Sequence, residues 1–165
     1  MPLDEERGTE REMLEAHLDA NRAIVVAKVT GLAWDRATCR LGPSATSAAG
    51  IVRHLTDVER WWFRHHLDGQ DGVPFRWSAT EADLEFDFTD ADSLDAVVAD
   101  YVAACAESRS IAARYSLDDQ LVRPEDTGNR PSLRWVMCHM LEETARHNGH
   151  LDIYRELLDG STGHS

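Results

Sequence analysis

Apolar side chains recur every three or four residues along four long stretches of the chain, and no stretch alternates as a half-buried strand would. The first stripe reads Leu14, Leu18, Asn21, Val25, Lys28 or Val29, and Leu32, with a polar break at Asn21. It predicts a helix from about residue 4 to Gly31, where glycine can end a helix. The second stripe, Ile51, His54 or Leu55, Val58, Trp61 or Trp62, and His65, predicts a helix from a Ser44 or Ser47 cap to Asp68-Gly69. A third begins near Asp92 or Ser93 and carries Leu94, Val97, Val98, Tyr101, Cys105, Ser108, Ala112 and Tyr115. The fourth starts at Asn129-Arg130-Pro131-Ser132, with proline where a helix start tolerates it. Its stripe runs through Leu133, Val136, Met137, Met140, Glu143, His147, Leu151, Tyr154 and Leu158 to Gly160.

Four such helices in one short chain predict an all-α four-helix bundle. The connection between the second and third helices, from Gly69 to Asp90, is roughly 20 residues, far longer than a turn between antiparallel neighbours. It can cross the bundle and give an order other than simple up-and-down. Its aromatics, Phe75, Trp77, Phe86 and Phe88, are expected to pack on the bundle or on a second subunit.

Length and charge narrow the picture. A chain of 165 residues and 18.5 kDa suits one domain, expected over residues 1–160 with a disordered tail over 161–165. With 17 basic and 30 acidic side chains the net charge is −13 and no basic run stands out, which argues against nucleic acid and against anionic membrane. Cys39, Cys105 and Cys138 form no C-x-x-C pair and read as buried or free thiols in a reducing compartment. The start, MPLDEERGTERE, is unlike a signal peptide, and no apolar run is long enough to span a membrane. A cytoplasmic protein is expected.

The informative anomaly is polar residues at core positions of the helix period. From Met140 the steps to Glu143, His147, Leu151 and Tyr154 keep all five on one face. His54 likewise interrupts the stripe between Ile51 and Val58. An unpaired buried carboxylate is costly and is normally paired, neutralised or metal-bound. Glu143 and His147, one turn apart, can grip one ion together, and His54 from a neighbouring helix completes two imidazoles and a carboxylate with open positions.

Other groups are separated by distance or rotation. His139 and His150 lie ~16 Å apart along the last helix, and His65 lies ~16 Å beyond His54, at ~1.5 Å rise per residue. His150, three residues after His147, stands as a fourth ligand or as a partner behind the ligands. Cys138 is rotated about 140° from Glu143 at ~100° per residue and is rejected as a ligand. One Glu-x-x-x-His does not match the paired Glu-x-x-His of di-iron bundles, and no H-E-x-x-H string is present. A mononuclear site fits better than either.

The stretches ERGTEREMLEAHLDANR, SAAGIVRHLTDVERWWFRHHLDG and MLEETARHNGHLDIYRELLDG resemble the DinB-like superfamily of metalloenzymes. That superfamily includes mycothiol-dependent maleylpyruvate isomerases and bacillithiol transferase-like bundles. The likeness is most specific in the histidine-rich final helix, with its G-H-L-D-x-x-R stretch. It implies an up-down-down-up bundle, often a homodimer, with ligands at His54, Glu143 and His147. Glu143 departs from the three-histidine version and is similar to the mycothiol isomerase type. The implied activity is a metal-dependent S-transferase or isomerase that uses mycothiol or a similar thiol on a small-molecule electrophile. Zinc is the first expectation, and nickel, iron or manganese also suit the donor set.

Plainer readings stand beside these. A non-catalytic bundle that binds a metal or small ligand for sensing or sequestration is one alternative, and a structural dimer with a degenerate site is another. Glu143 can instead pair with Arg53 or Arg60. His65 and His66 read as favourable charge at a helix C-terminus. His17 reads as a partly buried position, Gly50 and Gly149 as marks of close helix packing, and Asp152 with Arg155 as a surface pair.

Overall fold

Each long helix begins on a side-chain cap that its own sequence supplies. The computed structural model describes residues 8–77 and 84–162. Helix α1 spans Glu10–Val29, with Thr9 and Glu12 in a reciprocal capping box. It therefore starts later than the period suggested; residues 1–7 of the expected start lie outside the described residues. A short α2, Trp34–Ala37, is one turn long, too short to show a period in the sequence. Helix α3, Ala48–Glu59, is capped by Ser47, whose hydroxyl accepts the Gly50 N–H. It continues over Arg60–Leu67 as a wider π-helical stretch, in which Asp68 donates to the carbonyl of Phe63, five residues back.

A 3-10 turn, Leu84–Phe86, precedes α4, Leu94–Ala112, which Ser93 caps. Helix α5, Leu133–Asp159, is capped by Ser132, so Pro131 stands just ahead of the cap. It closes at Gly160, whose φ of 75° suits glycine. Among the described residues the structure is all-helical, without strands, and an isolated bridge joins Gln120 and Ser132. No described helix is long and apolar enough to cross a membrane. Gly160 ends the last helix where the tail was expected to begin, and residues 163–165 of that tail lie outside the described residues.

Cross-helix pairs give the directions. α1 and α5 run the same way, since Glu10 meets Arg134 near both starts and Arg155 donates to the Lys28 carbonyl near both ends. α3 and α4 also run together, joined by Arg53–Asp92, Arg60–Asp100 and Arg64–Glu107. α3 opposes α5, with Trp62 against His139 and His54 against Glu143. α1 opposes α4, with Arg11 donating to the carbonyls of Ala112 and Tyr115. Leu18, Phe63, Met137 and Met140 belong to one apolar cluster, and Val25, Ile51, Leu55, Tyr101 and Leu151 to another. Burial of these side chains supplies the driving force for docking the helices.

The long connection is held to α3 and α4. Arg76 donates to the fully buried Asp57 through both its backbone N–H and its side chain, and it also pairs with Asp100. Phe75 stacks on Trp77, and Phe88 packs on Trp34 while Arg53 covers its ring. The expected packing on the bundle is what these aromatics do; residues 78–83 lie outside the described residues.

Several expectations are corrected. His17 is exposed, because it points off the stripe that Leu18 occupies. A Cβ at Gly149 would meet no neighbour within 4 Å, whereas one at Gly50 would run into the Phe86 ring of the long connection. Asp152 pairs with Lys28 of α1, and Arg155 pairs with Asp159 and donates to the carbonyls of Lys28 and Thr30, so each takes another partner. His66 is buried, and His65, stacked on Trp61, is held below its usual pKa by burial and by Arg123 and His66. Both stand in the last turn of the Arg60–Leu67 stretch, at the helix C-terminus where the sequence puts them.

Acid should unfold the chain through its aspartates. The Asp100 carboxyl lies below its ordinary range because Arg60 and Arg76 outweigh its burial; Gln70, Arg114 and Tyr115 do the same at Asp68. A depressed native pKa stabilises above the unfolded value and is lost as pH falls. The thermal midpoint should thus hold near neutrality and drop as pH goes below about 4, where unfolded aspartates protonate. A midpoint flat to about pH 3 would show that these pairs add nothing.

Candidate metal centre

α3 and α5 cross in opposite directions, and that crossing brings His54 beside the Glu143–His147 turn. The ligand atoms of His54, Glu143 and His147 all lie within 4.8 Å of one another. Glu143 Oε1 lies 3.1 Å from His54 Nε2 and 3.1 Å from His147 Nε2. Glu143 Oε2 accepts from Arg146, 3.1 Å away, which leaves Oε1 for the two imidazoles. All three side chains are partly buried.

The far side of each ring is also occupied. His54 Nδ1 lies 3.2 Å from Oε1 of Glu85, and His147 Nδ1 lies 3.4 Å from Nδ1 of His150. His150 thus stands behind His147. Glu85 was missed in the sequence, since it falls in a connection with no helical period to place it. Its one signal there was a carboxylate between Leu84 and Phe86. Arg53 and Arg60, the alternative partners for Glu143, are engaged by Asp92 and Asp100. Cys138 is exposed, and His139 stacks on Trp135.

The electrostatics follow from this crowding. Hydrogen bonds from His147 and His54 hold the Glu143 carboxyl well below the usual carboxylate range. Burial lowers the His54 pKa, but Glu143 and Glu85 outweigh it and the net shift is upward. The donor set suits a divalent cation: ligands at ~2.0–2.1 Å in tetrahedral geometry sit about 3.3 Å apart, close to the 3.1 Å between Glu143 Oε1 and each Nε2. Each imidazole presents Nε2 inward with a partner on Nδ1, the usual arrangement of ligating histidines.

Residues 13–160 match the family described as mycothiol-S-transferase. A search of curated proteins gave no match. The matched span runs from within α1 to the end of α5, so it takes in His54, Glu143 and His147 and nearly all of the described helices. The chain therefore belongs to the mycothiol-S-transferase family, within the DinB-like superfamily.

Proposed function

We propose that this protein is a metal-dependent enzyme that joins a low-molecular-weight thiol, mycothiol first, to a small electrophile. The observation that carries the reading is the convergence of His54 Nε2, His147 Nε2 and Glu143 Oε1, with the far nitrogen of each ring already occupied. His54, Glu143 and His147 would hold one divalent cation, zinc first, with nickel, iron or manganese also suited to the set. Such a cation, when bound, lowers the pKa of a coordinating thiol and so supplies a thiolate near neutral pH. Arg146 keeps Glu143 oriented, and Trp77, with its ring 6.2 Å from that of His54, stands as a wall beside the site.

The proposal includes an up-down-down-up four-helix bundle as one domain over residues 1–160, a reading supported by the cross-helix pairs above. It also includes a cytoplasmic location, as the isolated cysteines suggest, and a homodimer, as the superfamily resemblance implies. The test uses tag-free protein, assayed for metal and then for consumption of mycothiol, bacillithiol or glutathione with electrophilic acceptors. About one divalent ion per chain is expected, with thiol consumption that a chelator abolishes and added metal restores. Metal-loaded protein that consumes none of these thiols would point instead to a non-catalytic metal-binding bundle.

A further inference from the structure

The connection between α3 and α4 reaches the His54 ring through Glu85. Glu85, in the Leu84–Phe86 turn, is 5 % exposed, and its Oε1 lies 3.2 Å from His54 Nδ1. Among the described residues its Oε2 has no hydrogen-bond partner. A buried carboxylate with an unpaired oxygen costs free energy, so other contacts must hold it in place. Phe86 supplies one. A Cβ built at Gly50 would lie 2.1 Å from Phe86 Cδ1, so only glycine leaves room for the ring. Gly50 is one turn before His54 on α3, which puts the slot and the imidazole on one helix face. Arg53 adds a second tie, donating to the Asp87 carbonyl at 2.8 Å and pairing with Asp92.

We propose that Glu85, seated by Phe86 in the slot at Gly50, is a positioning residue that holds the His54 ring by Nδ1 and turns its Nε2 toward Glu143 and the cation. The inference rests on the metal reading of the site. An imidazole has two nitrogens and two tautomers. A carboxylate that accepts from Nδ1 keeps the proton there and leaves the Nε2 lone pair for a metal. His147 has His150 in the same place, but His150 is exposed and on the same helix. His54 is the ligand that a separate segment of the chain aims.

Two readouts test this: Zn2+ affinity by competition with a chromophoric chelator, and nitrogen NMR of the histidine rings in metal-free protein. Glu85→Ala should weaken Zn2+ binding about 10- to 100-fold, the usual effect of losing such a partner. Glu85→Gln keeps an acceptor and should fall between Glu85→Ala and wild type. Gly50→Ala must displace Phe86 and should weaken Zn2+ binding in the same direction. In metal-free protein the His54 Nδ1 signal should report an N–H held by a carboxylate, and it should shift in Glu85→Ala but not in a control, Glu142→Ala, at the neighbouring surface. Wild-type affinity and unchanged His54 ring signals in Glu85→Ala overturn the proposal. If wild-type protein binds no Zn2+, the metal reading falls, and unchanged ring signals in Glu85→Ala then sink the positioning role by themselves.

Discussion

His147→Ala and His54→Ala should each strip the protein of its divalent ion and bring thiol transfer to background. Each variant removes one of three converging donors and leaves a single imidazole beside Glu143 Oε1. Losing a group behind a ligand costs roughly 10- to 100-fold in metal affinity, and losing a ligand should cost more than that. The fold should survive, since both rings lie partly exposed between α3 and α5 and neither belongs to the apolar clusters. Metal content after dialysis against a weak chelator checks this, with the circular dichroism spectrum as a control for folding. Variants that keep wild-type metal content and retain their helices would remove His54 and His147 from the site.

Glu59→Ala should produce the largest loss of stability. Arg22 and Glu59 face each other from α1 and α3 through two hydrogen bonds of 2.7 Å, and their side chains are 5 % and 1 % exposed. The pair keeps the Arg22 guanidinium charged against its burial, and the same Glu59 charge, added to desolvation, pushes the nearby Cys105 thiol up to about 12. Removing Glu59 leaves Arg22, among the described residues, with Asp19 as its ion-pair partner, which is far more exposed. Breaking a buried pair from one side typically costs about 3–5 kcal/mol, whereas replacing both partners with apolar residues of similar volume is often neutral. For a domain of this size that corresponds to a fall of roughly 6–20 °C in the thermal midpoint. The double variant Arg22→Met, Glu59→Leu should recover most of it. A Glu59→Ala midpoint within about 2 °C of wild type would mean that water reaches and solvates Arg22.

The two predictions draw on groups that the sequence displays unequally. His54, Glu143 and His147 interrupt apolar stripes, so a carboxylate and two imidazoles at core positions stand out without a structure. Arg22 and Glu59 do not stand out: in an acidic chain rich in arginine both resemble surface charges, and 37 residues separate them. Glu85 is hidden for a different reason. It lies in a segment without regular periodicity, and the glycine that admits Phe86 is 36 residues earlier, as their numbers show.

By itself the sequence determined the local structure: four long helices, serine caps for three of them, their glycine stops, and the faces on which His54, Glu143 and His147 stand. These depend on hydrogen bonds and periods that close within a few residues, so they can be read along the chain. The tertiary structure alone decided which side chains meet between the helices: that α3 widens into a π-helical stretch, that Arg22 meets Glu59, and that Glu85 stands behind His54. Those outcomes depend on how helices dock in register, and docking is settled by the packing of whole surfaces, which no one-dimensional period encodes.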